Sequence, residues 1–365
     1  MDFEHADEIG PEKIVHVYDP KTKLYAIVVV DNTASGPSIG GIRMVEDVTT
    51  TEVFRLARAM TLKNAMAEIP HGGGKSGIIA NPKIEEKETL IRAFARAIKN
   101  LEEYIPGPDM GTNEECMAWI HDEIGRCVGL PRELGGIPLD EIGATGFGVS
   151  VSADEAKEYI ELDIEGSKLI VEGFGNVGRH AARFLCKMGA ILVGASDSRG
   201  TIYNPHGIDV DKLIETKLRD GSVIKFKEGR VLGREDLLSI ENDIFVPAAR
   251  PDTVNEKNLG LIRSKLIVEG ANIPITEKAE KILHDRGVLC IPDFVANAGG
   301  VIAASVEYRG GTEGEAFERI EGTIRKNTKE ILDVVYNENR YPREVANELA
   351  RKRVFQAMKY RRGKL

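Results

Sequence analysis

The sequence predicts an α/β chain of two domains, with C-terminal helices packing back on the first. Three observations carry the two domains and the α/β class. The length, 365 residues, suits two hydrophobic cores at roughly 150 residues per domain. A Pro- and Gly-rich passage at 131–147 separates stretches of different character. Beyond it, from Lys168, short apolar runs alternate with helix-patterned segments, as in a parallel, doubly wound sheet. The expected boundaries are 1–142, 143–302 and 303–365.

Residues 11–45 read as strands and turns. Leu24 to Val30 is a valine-rich strand, and SGPSIGGIRM at 35–44 is turn-rich. Asp47 to Thr51 supplies helix caps. Val53, Leu56, Ala57 and Met60 then share one face of a helix that runs to about Glu68, before Pro70. Ile69 to Pro82, IPHGGGKSGIIANP, reads as a glycine-rich turn holding Lys75, with a strand starting at Ile78. Glu85 to Tyr104 has a helical pattern. Ile105 to Thr112 is a second punctuated loop, and Thr112 is placed to cap a helix containing Trp119 and Ile120.

Ala153 to Leu162 is helix-patterned. The strands expected in the second domain are Leu169 to Val171, Ile191 to Ala195, Ile244 to Val246, Leu266 to Val268 and Val288 to Ile291. From about Ala303 the chain is helix-patterned and highly charged.

Composition narrows the function. Net charge is -9 and the signs alternate along the chain, so no basic stripe invites nucleic acid. The cluster Lys359 to Lys364 reads as a solvated tail. Cys116, Cys127, Cys186 and Cys290 have no C-x-x-C spacing, which points to buried thiols in a reducing compartment and no metal site. The acidic N-terminus is no signal peptide, and runs such as Ala26 to Val30 are too short to span a bilayer. A cytoplasmic protein without membrane contact is expected.

Gly173-Phe174-Gly175-Asn176-Val177-Gly178 is G-x-G-x-x-G. Here it follows a strand, KLIVE, and opens a helix with Val177, Ala181, Phe184, Leu185 and Met188 on one face. A second strand ends at Asp197, about 20 residues on, as a dinucleotide fingerprint requires. The first glycine permits the tight turn and the second admits a pyrophosphate. The third lets helix and strand pack closely, and the helix N-terminus offers N–H groups to the phosphates. Asp197 would accept from ribose hydroxyls and favours NAD. Arg199, which could clamp a 2′-phosphate, argues for NADP, and the balance leans slightly to NAD.

GGGKS resembles the end of a phosphate-binding P-loop, but the required first glycine is Ile69 and no helix follows. The glycines are read instead as letting backbone crowd a small substrate beside Lys75. A lysine desolvated there, with Lys63 nearby, would have a lowered pKa and could act as a base. Asp109, in PGPDMGT, is either a turn former or a functional carboxylate.

IPHGGGKSGIIANP, PGPDMGT, ATGFGV at 144–149, VEGFGNVG at 171–178, PAA at 247–249, VEGAN at 268–272 and NAGGV at 297–301 occur in this order. Together they resemble the glutamate/leucine/phenylalanine/valine dehydrogenase family over about residues 25–310. The resemblance implies an N-terminal domain for substrate binding and oligomerisation, followed by a Rossmann domain, with a cleft that closes. It implies Lys75 as catalytic lysine, Asp109 as proton shuttle and Lys63 as partner of the substrate α-carboxylate. Gly40, Gly41 and Val301 would line the pocket. Asn297 would touch nicotinamide and substrate. Thr145, Ala248 and Asn272 would join Gly173, Gly175, Asn176, Val177, Gly178 and Asp197 in holding NAD(P). The implied reaction is reversible oxidative deamination of an L-amino acid to a 2-oxo acid and ammonia, by a homo-oligomer, hexamer or octamer.

Two positions bear on the substrate. The family's glutamate enzymes place a lysine where this chain has Ile39, and a serine at the position aligned with Ala304. Both departures remove partners for a γ-carboxylate, which is costly to bury unpaired. An apolar branched-chain or aromatic substrate is therefore expected, with glutamate as the alternative if Arg43 reaches the side chain. A non-catalytic NAD(P)-binding regulator would have lost Lys63, Lys75 or Asp109. A 2-hydroxy-acid dehydrogenase would need a His–carboxylate pair, and His71, His121 and His180 read as surface or core residues.

Overall fold

The structure, a computed structural model, describes residues 5–361 and divides the chain into two compact units. The first comprises Met1–Pro138, Val301–Ala316 and Asn347–Leu365. Its sheet contains β1 (Lys13–Asp19), β2 (Leu24–Asn32), β3 (Ser38–Val45), β4 (Gly72–Ile79) and β5 (Tyr104–Pro108), in the order β1-β2-β4-β3-β5. β3 runs parallel to both β4 and β5, while β1–β2 and β2–β4 are antiparallel. Helices α1 (Thr50–Met66), α2 (Lys87–Ala97) and α3 (Glu114–Ile124) cover it.

From Ala26 onward β2 is buried on both faces, which explains why it reads as a continuous apolar run. Val28 and Val30 join Ile42, Ile78, Phe94 of α2 and Ile120 of α3 in one core. Ile27 and Val29 point the other way, to Val53 and Ala57 of α1.

The glycine-rich stretch expected to be a turn is β4 itself, in the middle of the sheet. Its glycines answer to neighbouring protein. A Cβ on Gly72 would lie 1.7 Å from Asn32 O, one on Gly73 2.1 Å from Thr61 N, and one on Gly74 2.9 Å from the Tyr104 ring. The reading that these glycines exist to crowd a substrate is corrected accordingly: α1, β2 and Tyr104 already fill that space. The second punctuated loop likewise begins as a strand, β5, whose edge position tolerates Pro106 and Pro108. Asn113, not Thr112, caps α3 by accepting from Cys116 N.

The second unit comprises Leu139–Gly300 and Phe317–Ala346. It opens with α4 (Leu139–Ile142) and α5 (Ala144–Ala156), so part of the expected inter-domain passage is helix. Glycines inside α5 are there for close packing. A Cβ on Gly146 would lie 2.6 Å from Ala181 N, and one on Gly148 2.9 Å from Ala296 O. The sheet follows: β6 (Lys168–Glu172), β7 (Ile191–Asp197), β8 (Gly200–Tyr203), β9 (Arg230–Leu232), β10 (Ile244–Pro247), β11 (Leu266–Val268) and β12 (Leu289–Ile291). Its order is β12-β11-β10-β6-β7-β8-β9. The five expected strands are parallel, and β8 and β9 extend the sheet antiparallel. Helices α6 (Asn176–Lys187), α7 (Val210–Asp220), α8 (Glu277–Asp285) and α9 (Asp293–Ala296) complete the winding.

The C-terminal run forms α10 (Gly299–Tyr308), α11 (Glu313–Glu338) and α12 (Pro342–Arg361). Among the described residues of this run, 301–316 and 347–361 group with the first unit. Residues 317–346 belong to the second unit because their contacts are there. Phe317 meets Phe147 edge-on at 4.9 Å, and Arg325 pairs with Asp154 at 2.9 Å. Arg343 binds Glu269 at 2.7 Å, Asp293 at 2.8 Å and also Glu280. Of the basic tail, 359–361 form the end of α12, and 362–364 lie outside the described residues. Among the described residues no helix is long and apolar enough to cross a membrane.

Candidate functional site

Lys75 sits at the centre of β4, where the strand alternation turns it toward α1 together with Gly73 and Gly77. It is 6% exposed. Its Nζ lies 3.1 Å from Oδ2 of Asp109. Burial pushes the Lys75 amine below its ordinary value, and Asp109 opposes that fall. For Asp109, burial resists ionisation, but Lys75 and then Arg43 outweigh it and the carboxyl is held low.

Asp109 follows β5 and is held from its backbone. Its N–H donates to the Thr112 hydroxyl at 3.0 Å, and that hydroxyl donates to Ile42 O at 2.8 Å. Thr112 therefore pins the aspartate loop to β3. Gly41 lets the loop come close, since a Cβ there would lie 2.7 Å from Asp109 Cβ. Gly40 lies against the backbone of β4, and its carbonyl accepts from the Tyr104 hydroxyl at 2.9 Å.

Lys63 is half-buried in the last turn of α1. Ile39 is buried on β3, opposite Gly73 of β4, on the face shared with Gly41 and Arg43. Ala304 is buried and Val301 half-buried, both on α10. Arg43 does not present a free cation. Its Nε donates to Asp109 Oδ2 at 3.0 Å and its Nη1 to Glu52 Oε1 at 2.7 Å.

Arg43 and Glu52 are the residues whose place in this cluster the sequence reading missed. A signal existed. Arg43 stands two residues beyond Gly41 on one strand face, and Glu52 stands three residues after Thr49, which caps α1 by accepting its N–H.

The dinucleotide fingerprint occupies the turn from β6 into α6. Gly173 has φ +86°, and a Cβ on it would lie 2.6 Å from Ala249, just beyond β10. A Cβ on Gly178 would lie 2.0 Å from Gly173 O. Gly175, by contrast, has no protein atom within 4 Å of where its Cβ would stand. Its lack of a side chain has no intramolecular cause, which fits an approaching pyrophosphate. No acidic residue occupies the first turn of α6, which begins with Asn176 and Val177. The strand order reverses between β7 and β10 about β6, where such folds bind nucleotides.

Asn297 gathers the loop after β11: its Nδ2 donates to Gly270 O, Ala271 O and Asn272 Oδ1 at 3.3, 3.3 and 3.1 Å. Thr145 is in the first turn of α5, with its Oγ1 3.0 Å from where a Cβ on Gly300 would stand. Ala248 follows β10 and is half-buried.

Asp197 is placed differently from expectation. It ends β7, but Oδ1 accepts from Arg199 N at 2.9 Å and Ser222 Oγ at 3.1 Å. Oδ2 accepts from Lys217 Nζ at 2.7 Å and Val223 N at 2.9 Å. A carboxylate offers about four acceptor positions, and all are taken. A ribose hydroxyl would have to displace one of them, so the argument for NAD over NADP drawn from Asp197 does not stand.

His71 and His180 are buried, with His71 stacked edge-on against Tyr308. Neither pairs with a carboxylate side chain in the way a hydroxy-acid dehydrogenase needs. Among the described residues no group of His, Cys, Asp and Glu is arranged to hold a metal ion.

Known proteins match both halves of this description. The family model described as Glu/Leu/Phe/Val dehydrogenase, dimerisation domain, covers residues 11–126. The model described as Glutamate/Leucine/Phenylalanine/Valine dehydrogenase covers 135–362. A glutamate dehydrogenase of Aeropyrum pernix is 40% identical over 356 residues, 90% of this chain and 85% of that protein. An NAD-specific glutamate dehydrogenase of Staphylococcus aureus is 36% identical over 351 residues, 90% and 84% of the two chains.

Among solved structures, the leucine-bound hetero-hexameric glutamate dehydrogenase of Thermus thermophilus superposes with TM-score 0.85 at 27% identity, covering 96% of this chain and 90% of that one. L-tryptophan dehydrogenase from Nostoc punctiforme superposes with TM-score 0.77 at 26% identity, covering 98% and 99%. With one family's two models spanning both halves of the sequence, this chain belongs to the glutamate/leucine/phenylalanine/valine dehydrogenases.

Proposed function

We propose that this protein catalyses the reversible oxidative deamination of an L-amino acid with NAD(P), and that it prefers an apolar side chain. The observation that carries the first half is the pair of buried Lys75 and half-buried Asp109, 3.1 Å apart. Deamination needs a proton carrier beside the nitrogen and an amine whose hold on its proton is weakened. Asp109 and Lys75 have the residue types and the surroundings for these two tasks. Lys63 supplies a cation for the α-carboxylate. When bound, NAD(P) supplies the hydride acceptor. Gly173, Gly175, Gly178 and the N-terminus of α6 receive its pyrophosphate, while Thr145, Asn272 and Asn297 hold the nicotinamide end. Both coenzymes are included because the lone pairs of Asp197 are already engaged.

Asp109 exchanges a proton with the substrate nitrogen as the amine becomes an imine. Lys75 polarises the carbon or activates the water that adds there, and ammonia and a 2-oxo acid leave. The preference for an apolar side chain rests on Ile39 and Ala304, and on Arg43 being held by two carboxylates. A γ-carboxylate would find no partner at these three positions. Glutamate is the second reading, favoured by the names of relatives such as those of Aeropyrum pernix and Staphylococcus aureus. The protein is further proposed to work as a closed homo-oligomer, with the edge strand β1 in the interface. The family model that covers it is described as a dimerisation domain.

Steady-state rates with leucine, valine, phenylalanine, tryptophan and glutamate, each with NAD and NADP, test the whole. A higher kcat/KM for glutamate than for every apolar amino acid would reject the preference. Reduction of neither coenzyme by any of them would reject the activity. Lys75→Ala should abolish turnover and leave NADH binding intact.

A further inference from the structure

Four side chains of the first unit form an unbroken file of alternating charge: Glu52, Arg43, Asp109 and Lys75. Arg43 Nη1 is 2.7 Å from Glu52 Oε1, and its Nε is 3.0 Å from Asp109 Oδ2. Lys75 Nζ is 3.1 Å from the same Oδ2. Two cations thus share one oxygen of Asp109. Among the described residues no donor reaches the other oxygen, Oδ1, in a side chain that is 23% exposed.

We propose that Arg43, braced by Glu52, is the positioning residue of this site: it clamps Oδ2 of Asp109 against Lys75 and reserves Oδ1 for the proton exchanged with the substrate nitrogen. The inference rests on the deamination reading and adds to it which atom of Asp109 works and what holds it there.

Geometry supports this first. A carboxylate held by one ammonium can rotate and trade oxygens. A planar guanidinium with a second carboxylate behind it fixes the direction of approach. Glu52 is itself fixed, since its N–H is capped by Thr49 at 3.2 Å in the first turn of α1.

The charge order then gives a reason for two cations where one would neutralise Asp109. Burial, and after it the like charge of Arg43, depress the Lys75 amine, while Asp109 and Glu52 oppose them. Removing Arg43 would leave Lys75 matched only to carboxylates and harder to deprotonate.

Other charged and titratable groups come from each neighbouring element. Tyr104 of β5 is committed to Gly40 O and Ser76. Asp31 of β2 is committed to Arg58 and Thr61 of α1. Lys63 also stands on α1.

The test compares wild type with Arg43→Gln, Arg43→Lys and Glu52→Gln. The readouts are the pH profile of kcat/KM and the pH midpoint for covalent labelling of Lys75 by an activated ester, read by mass spectrometry. Arg43→Gln should move the Asp109 limb, the Lys75 limb and the labelling midpoint to higher pH, by about one unit. Arg43→Lys should return them toward wild type while kcat stays reduced, because one ammonium cannot reproduce both contacts. Glu52→Gln should move the Lys75 limb and midpoint the opposite way, to lower pH.

If folded variants lose activity with limbs and midpoint unmoved, Arg43 is a structural residue and the proposal is overturned. Should Arg43→Gln fail to fold, the sign of the Glu52→Gln shift decides alone. The labelling midpoint does not need turnover. A wild type that oxidises no amino acid would therefore reject the deamination reading, while an unmoved midpoint rejects the role of Arg43.

Discussion

The carboxylate of Glu307 accepts the backbone N–H of Gly129 at 2.8 Å. The same side chain accepts from Leu130 at 3.0 Å and Ile137 at 3.1 Å. A loop of the first unit is thus tied to α10, the helix that carries Val301 and Ala304. Burial raises the Glu307 carboxyl, and the three amides pull it back.

Glu307→Gln should be costly despite its near-identical shape. An amide has one acceptor oxygen where the carboxylate has two, so at least one buried N–H is left unmatched. The expected loss is about 1–3 kcal/mol, read from urea unfolding. An unchanged midpoint would mean that water replaces the missing acceptor.

Asp197→Asn should destabilise the second unit by about 2 kcal/mol at neutral pH, because a charged acceptor of four donors is lost. The carboxyl is lowered from 3.8 in the fold: burial resists ionisation, and Lys217 with the neighbouring N–H and hydroxyl donors outweighs it. A carboxyl whose pKa is lower in the folded state stabilises above its unfolded pKa and loses that contribution as pH falls through the folded one. The gap between wild type and variant should therefore be constant from pH 7 to about 5 and close below pH 4. The variant should weaken NAD and NADP to similar degrees; a loss confined to NAD would show that Asp197 reads the ribose after all.

Much of this was legible in advance for definite reasons. The parallel strands were visible because strands buried on both faces are continuous apolar runs, as at Leu266 to Val268. The fingerprint was visible because Gly173 and Gly178 answer to backbone contacts only 2.6 and 2.0 Å away. β4 was misread because three glycines in a row signal a turn. What makes them glycine is the nearness of Asn32, Thr61 and Tyr104, which are distant in sequence. For the same reason the Arg43–Asp109 and Lys217–Asp197 pairs were invisible. Which charges meet is decided by strand register and helix docking.

Substrate choice should respond to Ile39 and Ala304 together. Ile39→Lys alone buries an ammonium without a partner and should lose leucine turnover without gaining glutamate. Ile39→Lys with Ala304→Ser should raise kcat/KM for glutamate relative to leucine by about tenfold or more, measured over the same panel. An unchanged ratio would place the side-chain pocket elsewhere.

Arg343→Met should lower stability by about 3–5 kcal/mol, because Glu269, Glu280 and Asp293 lose their shared cation. Asp293 also accepts from Ile273 N at 2.9 Å, beside Asn272. The Kd for NADH should therefore rise in variant protein that remains folded, as titrated by fluorescence. Unchanged stability would mean that the three acids take up protons at little cost.

The place of Lys75 on β4 has a consequence for motion. β4 is hydrogen-bonded on both sides, to β2 and to β3, and each of its first three residues abuts a different element. Such a strand opens only when the whole unit does, so its amide protons should be among the last to exchange with solvent. In the proposed mechanism the Lys75 amine thus rides on a slow, rigid part of the first unit. If Lys75 acts as proposed, motion that admits or releases small molecules is expected elsewhere in the chain, with β4 holding Lys75 in place.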